Sequence, residues 1–123
     1  MEYISKSVND THQIAKNILK KLISESKTDQ ALVIILKGNL GAGKTELVKG
    51  LKSFFKIKNN ILSPTFVLMK VYNISNSKFK TMYHFDLYRL IGGKLKEKDI
   101  IAALDTLNIY DILNNQENIV FIE

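Results

Sequence analysis

Between positions 8 and 24 the apolar residues Val8, Ile14, Ala15, Ile18, Leu19 and Leu22 recur at the spacing of one helical face, which predicts an amphipathic helix. Asn9 or Asp10 is placed to cap its start. Residues 24–30 are polar and read as a loop. Ala31, Leu32, Val33, Ile34, Ile35 and Leu36 then follow without a polar interruption. Continuous apolarity, rather than alternation, predicts a central strand covered on both faces, as in parallel sheets. After a glycine-rich stretch at 38–43, helical spacing returns over 44–55, with Leu47, Val48, Leu51 and Phe54 or Phe55 on the inner side. Residues 56–60 form a basic, polar connection. Ser63-Pro64 marks a loop, because proline biases the preceding residue away from helix. Residues 66–72 and 80–87 read as strands, joined through a polar turn at 73–78 into an antiparallel hairpin. Gly92-Gly93 breaks the chain. Residues 97–104 and 109–114 are short helical candidates, and Val120-Phe121-Ile122 is a short apolar run before Glu123. Helix, strand, loop, helix, hairpin, helices and strand in that order predict an α/β domain with a mostly parallel central sheet flanked by helices.

Composition narrows the function classes. The chain has 123 residues, the size of one domain. No apolar run approaches the roughly 20 residues of a membrane span. The opening Met1-Glu2-Tyr3-Ile4-Ser5-Lys6 has no basic segment leading into an apolar core, so no secretory signal is expected. Cysteine is absent, which excludes disulfides, thiolate zinc sites and cysteine catalysis. The expectation is a soluble cytoplasmic protein with no membrane partner. The net charge is +6, which permits an anionic partner such as nucleic acid. It is equally a compositional bias, since 17 of the 18 basic residues are lysines spread along the chain.

The chemistry sits in the glycine-rich stretch. Gly38-Asn39-Leu40-Gly41-Ala42-Gly43-Lys44-Thr45 matches G-x-x-x-x-G-K-[ST] without a gap, between a buried strand and an amphipathic helix, as the phosphate-binding loop requires. The glycines let the backbone turn tightly and aim its N–H groups at phosphate oxygens. The following helix offers its positive dipole end to the same anion. Lys44 is placed to reach the β- and γ-phosphates, and the Thr45 hydroxyl to ligate Mg²⁺. The loop by itself does not choose among nucleotide hydrolases and kinases. No N-K-x-D sequence of the guanine-specific kind is present, which favours ATP.

Two further blocks are more particular: Ser63-Pro64-Thr65-Phe66 and His84-Phe85-Asp86-Leu87-Tyr88-Arg89-Leu90. With the loop, in this order, they resemble the TsaE family, the P-loop ATPases of bacterial tRNA threonylcarbamoyladenosine synthesis. The resemblance implies a single P-loop domain over 1–123 and an ATPase that is Mg²⁺-dependent, weak alone and dependent on partners. Those partners would be TsaD- and TsaB-type proteins, which build the threonylcarbamoyl group on adenosine 37 of ANN-decoding tRNAs; tRNA contact would be indirect, through the complex. Residue by residue it implies Lys44 on phosphate, Thr45 on the metal and Thr65 in a switch-like loop near the γ-phosphate. Asp86 would stand beside the metal or the attacking water, with Glu123 as a second metal-site carboxylate and Thr11 near the nucleotide. Asp86 and Glu123 both fall at ends of predicted strands, where an α/β sheet places ligand groups. His84 reads as a hairpin side chain, His12 as part of a helix surface, and Tyr88 and Arg89 as either partner contacts or hairpin anchors.

Three departures from the family pattern stand out. Asn39 occupies a position usually held by aspartate. Glu46 follows Thr45 where threonine is frequent, and is tolerable at a helix N-terminus. The family also continues past the glutamate with tryptophan and a further strand and helix, so an exposed sheet edge or face is expected here. The rival readings are another small P-loop kinase, weakened by the presence of a single arginine, Arg89, and a nucleotide-binding remnant without turnover.

Overall fold

The computed structural model describes residues 2–27, 29–38, 43–57, 61–62, 69–74, 78–85 and 97–123. Among these residues the elements are, in chain order, helix α1 (Val8–Glu25), strand β1 (Leu32–Ile35), helix α2 (Lys44–Phe54), strands β2 (Ile61–Leu62), β3 (Met69–Asn73) and β4 (Thr81–Phe85), helices α3 (Glu97–Thr106) and α4 (Ile109–Leu113), and strand β5 (Asn118–Ile122).

The strands form one sheet in the order β1-β5-β4-β3-β2. The last strand enters between the first and the hairpin. It runs parallel to both neighbours, with Ile35 and Phe85 each opposite Ile122. β3 is antiparallel to β4 and to β2, so four of the five described strands point one way and β3 opposes them. This is the α/β architecture, mostly parallel with an antiparallel hairpin, that the residue pattern predicts. β2 was not foreseen: a two-residue strand is too short to show a period.

Ser7 caps α1, not Asn9 or Asp10. The Asp10 N–H donates to Ser7 Oγ at 3.0 Å, and the Lys6 N–H donates to Asp10 Oδ2 at 3.1 Å. Ser7 thus meets one open helix donor, and the Asp10 carboxylate reaches back to the residue before the cap, one short of a capping box. α1 and α2 cover one face of the sheet. Ala15, Leu19, Val48 and Leu51 from the helices bury Tyr72, Met82, Ile119 and Phe121 from the strands. Each large apolar side chain so buried contributes about 1.5–3 kcal/mol. The helices approach closely at Gly50, where a Cβ would lie 2.8 Å from the His12 Cα and 3.0 Å from the Ala15 Cβ.

On the other face Ala31, Met69, Phe85, Ile112 and Val120 form a second cluster under α4. The buried Asn118 side chain ties that helix to β5 by donating from Nδ2 to the Ile112 carbonyl at 2.9 Å. This layer does not cover β1. The continuous apolar run of β1 therefore does not mark a strand covered on both faces. Its burial alternates, and Val33 and Ile35 are exposed. A hydrophobic run records which residues could be buried, whereas the placement of other elements decides which are. Among the described residues no helix is long and apolar enough to cross a membrane.

Candidate phosphate site

The site is built where β1 and β5 end. The Leu36 N–H donates to the Ile122 carbonyl at 2.8 Å, and the Glu123 N–H donates to the Phe85 carbonyl at 2.9 Å. Three neighbouring parallel strands thus finish together, and the chain turns from β1 through Gly38 toward α2. Carboxyl ends of strands are where open α/β sheets bind ligands.

α2 starts on Gly43, whose φ of +89° lies in the left-handed region. Nothing lies within 4 Å of where a Cβ would stand. Glycine is therefore demanded by the backbone, not by crowding. Gly43 offers no side chain to cap this helix start, so its N-terminal N–H groups and positive dipole end suit an anion. The first-turn Leu47 N–H donates to the Gly43 carbonyl at 2.9 Å. Lys44 folds back, donating from Nζ to the Gly38 carbonyl at 2.5 Å. Gly43, Lys44 and Thr11 line one cavity of about 400 Å³, together with Tyr3, Ile14 and Leu47. Thr11 sits in the first turns of α1, where its Oγ1 lies 2.6 Å from Ser5 Oγ. It reaches this cavity because Gly50 admits α1 so closely to α2. A tether at the same end fixes the pairing: Glu46 Oε2 lies 3.1 Å from His12 Nε2, and Lys49 Nζ donates to Glu46 Oε1 at 3.1 Å. The lysine bond, then the histidine, holds the Glu46 carboxyl below its usual range.

Glu123 and His84 meet across β5 and β4. Their side chains are 12% and 11% exposed, and His84 Nε2 lies 2.7 Å from Glu123 Oε2. A carboxylate only accepts, so Nε2 is the donor. Burial holds the imidazole below its usual 6.5, against the pull of the Glu123 carboxylate and with the push of Lys52 and Lys70. A neutral His84 therefore orients Glu123 by hydrogen bonding. Its buried Nδ1 has no partner among the described residues. Lys52 adds positive charge toward Glu123 while its Nζ stands 4.5 Å from the centre of the Tyr72 ring. Burial lowers the pKa of Lys52, and the Glu123 charge raises it.

The structure therefore brings Thr11, Gly43 and Lys44 to one cavity, with Gly38 and Thr45 flanking them in the chain, and places Glu123 at the end of the adjacent strand. Asn39, Leu40, Gly41, Ala42, Thr65 and Asp86 lie outside the described residues, as do Tyr88 and Arg89. Sequence reasoning passed over the pairing of His84 with Glu123, the charge of Lys52 and the packing role of Gly50. Only the placement of His84 in the same strand block as Asp86 hinted at the first. No group of three His, Cys, Asp or Glu that could hold a metal by itself occurs among the described residues. A cation that arrives with nucleotide needs no such cage, because phosphates and waters supply most of its ligands. The Thr45 hydroxyl and the Glu123 carboxylate are oxygen donors of the kind such a cation takes.

The family model described as "Threonylcarbamoyl adenosine biosynthesis protein TsaE" matches residues 5–123. The chain belongs to the TsaE family. A protein of Haemophilus influenzae named tRNA threonylcarbamoyladenosine biosynthesis protein TsaE is 41% identical over 88 residues, covering 72% of this chain and 52% of its own. The Aquifex aeolicus protein of the same name is 40% identical over 91 residues, 72% of this chain and 62% of its own. The Mycobacterium tuberculosis one is 38% identical over 77 residues, 63% and 45% respectively. The chain spans about half the length of the curated relatives it matches. The TsaE family is a P-loop family, and the strand, glycine-rich segment and helix around Lys44 are that feature here.

Proposed function

We propose that the chain binds ATP at its glycine-rich loop and hydrolyses it, and that hydrolysis supports a TsaB- and TsaD-type pair in forming threonylcarbamoyladenosine at position 37 of ANN-decoding tRNAs. The observation that supports this is a helix that starts on left-handed Gly43 with Lys44 at its first position and lines a cavity, after a strand whose parallel neighbour ends on the histidine-held Glu123. Family membership adds the tRNA-modification context, since the relatives are named for it.

In this reading Lys44 exchanges the Gly38 carbonyl for phosphate oxygens, and the α2 N-terminus binds the same anion. Thr11 and the apolar wall of the cavity hold the rest of the nucleotide. Thr45, Glu123 and Asp86 would hold magnesium, which when bound supplies charge neutralisation on the transferring phosphate. His84 keeps the Glu123 oxygen aimed, and Thr65 senses the γ-phosphate. Hydrolysis needs positioning and electrostatics more than covalent chemistry, which suits a small site completed by partners. Contact with tRNA belongs to the complex.

The test is ATP turnover by the purified chain, alone and with TsaB plus TsaD. Turnover is expected to appear or rise with the partners and to fall about a hundredfold or more in Lys44→Ala and in Asp86→Ala. Nucleotide binding without turnover under every condition would leave a binding remnant in place of an ATPase.

A further inference from the structure

His12 follows Thr11 in α1, and Glu46 follows Lys44 and Thr45 in α2. Thr11 and Lys44 line the same cavity. His12 Nε2 and Glu46 Oε2 meet at 3.1 Å, with the two side chains 29% and 33% exposed. The bond therefore joins near neighbours of the residues that form the two sides of the cavity. His12 also meets α2 a second time. Its Cα and its carbonyl oxygen lie 2.8 and 3.2 Å from where a Gly50 Cβ would stand. Glu46 and Gly50 are four residues apart, so they share one face of α2 a turn from each other. His12 is thus seated across two successive turns, by its side chain at one and its backbone at the other. The backbone contact sets how near the helices come, and by itself it leaves α1 free to pivot or slide. The side-chain bond removes that freedom. Thr11 moves with this turn of α1. Its Oγ1 donates to the Ser7 carbonyl at 3.2 Å and lies 2.6 Å from Ser5 Oγ. Ser5 and Tyr3 also line the cavity, opposite the Gly43, Lys44 and Leu47 of α2.

We propose that His12 and Glu46 are positioning residues for the nucleotide: their hydrogen bond sets the α1 side of the cavity against the α2 side, so that one ligand meets both. The carboxylate only accepts, so Nε2 is the donor. Lys49 donates to the other oxygen, Glu46 Oε1, at 3.1 Å, which leaves Oε2 to the histidine. Neither His12 nor Glu46 is assigned a contact with phosphate or metal. Holding the two sides in place beforehand removes an ordering cost that binding would otherwise meet. The proposal rests on the reading of this cavity as an ATP site, and it divides the ligand. The phosphates are held by α2 alone, through Lys44 and the helix start, and are indifferent to where α1 stands. The remainder of the nucleotide is held from both helices, so it alone depends on the bond.

The test is calorimetric titration of the full chain with two probes, magnesium ATP and inorganic tripolyphosphate. His12→Ala is expected to raise the Kd for ATP about tenfold, the worth of one hydrogen bond to a charged group, and to leave the Kd for tripolyphosphate nearly unchanged. Glu46→Ala should shift the ratio of the two Kd values by the same factor. The ratio is the proper readout there, because loss of a carboxylate at a helix N-terminus alters the attraction of both anions. The double variant should shift the ratio no further than either single one. His12→Gln, which keeps a donor nitrogen at the end of the side chain, should recover most of the loss. Urea unfolding checks that each variant stays folded, and should His12→Ala not fold, Glu46→Ala and His12→Gln carry the test. An unchanged ratio, equal weakening of both probes, additive losses in the double variant or no recovery in His12→Gln would overturn the proposal while leaving the ATP site in place. No ATP binding by the unaltered chain, or ATP binding indifferent to Lys44→Ala, would remove the ATP reading itself and the proposal with it.

Discussion

On the α1 and α2 side of the sheet, Leu19, Ile119 and Phe121 are wholly buried, and two helices of 18 and 11 residues close over them. On the α3 and α4 side the covering helices have 10 and 5 residues, and Ile101 and Tyr110 stay exposed on the wall of an apolar groove. The sealed layer is basic in its sequence and the open layer acidic. The difference bears on the site. A site that must hold a lysine, a helix start and a buried carboxylate in fixed relation needs a rigid layer behind it. The shorter helices of the open layer leave apolar area accessible.

Substitutions can break this contrast. The largest effect is expected for Phe121→Ala, which removes a fully buried ring from the sealed side and should cost about 3–5 kcal/mol in equilibrium urea unfolding. The same experiment on Ile112→Ala, under the open layer, should give a loss nearer 2 kcal/mol. Equal losses would mean that the two layers are packed alike. Gly50→Ala comes next. Its methyl would meet the α1 backbone at 2.8 Å, an overpacking penalty of about 1–3 kcal/mol, only partly offset by about 1 kcal/mol of better helix propensity. Because the shift moves α1, nucleotide affinity should fall as well, which a simple helix-propensity effect would not produce.

Tyr72→Phe sharpens the picture in the opposite direction. The buried Tyr72 hydroxyl has no partner among the described residues, so removing it should be neutral or stabilise the fold by up to about 1 kcal/mol. Burial holds the Tyr72 pKa above its usual 10.0. The unfolded chain therefore releases this proton first, and stability should decline as pH rises past 10. Urea titrations at alkaline pH should show this loss in the unaltered chain and not in Tyr72→Phe. The smallest effect on stability is expected for the exposed Tyr110→Ala on the open side, within about 0.5 kcal/mol in the same urea measurement.

Much of the fold was legible in local pattern. The 3.6-residue spacing of Ile14, Ala15, Ile18 and Leu19 marked α1, and the hairpin of β3 and β4 followed from two apolar runs around a polar turn. The start of α2 at Lys44, straight after a glycine, was equally legible, since the helical spacing resumes where the glycines end. His84 was different. It lies 39 residues from Glu123, and only the parallel register of β4 with β5 brings the two within 2.7 Å. Gly50 looked like an ordinary weak position in a helix until α1 was seen to cross it. The burial of β1 was misjudged for a related reason, because a run of six apolar residues says nothing about whether a second layer extends far enough to cover them.

Local sequence set the helices, the order of the larger elements, the glycine-rich motif and the family to which the chain belongs. Each of these depends on residues adjacent in the chain or repeated at a local period. Tertiary structure alone decided that Glu123 is held by His84, that Thr11 and Lys44 line one cavity, and that Ile101 and Tyr110 are left exposed on the opposite face of the sheet. These depend on which distant surfaces meet, and that is settled by strand order and by how far each helical layer reaches across the sheet.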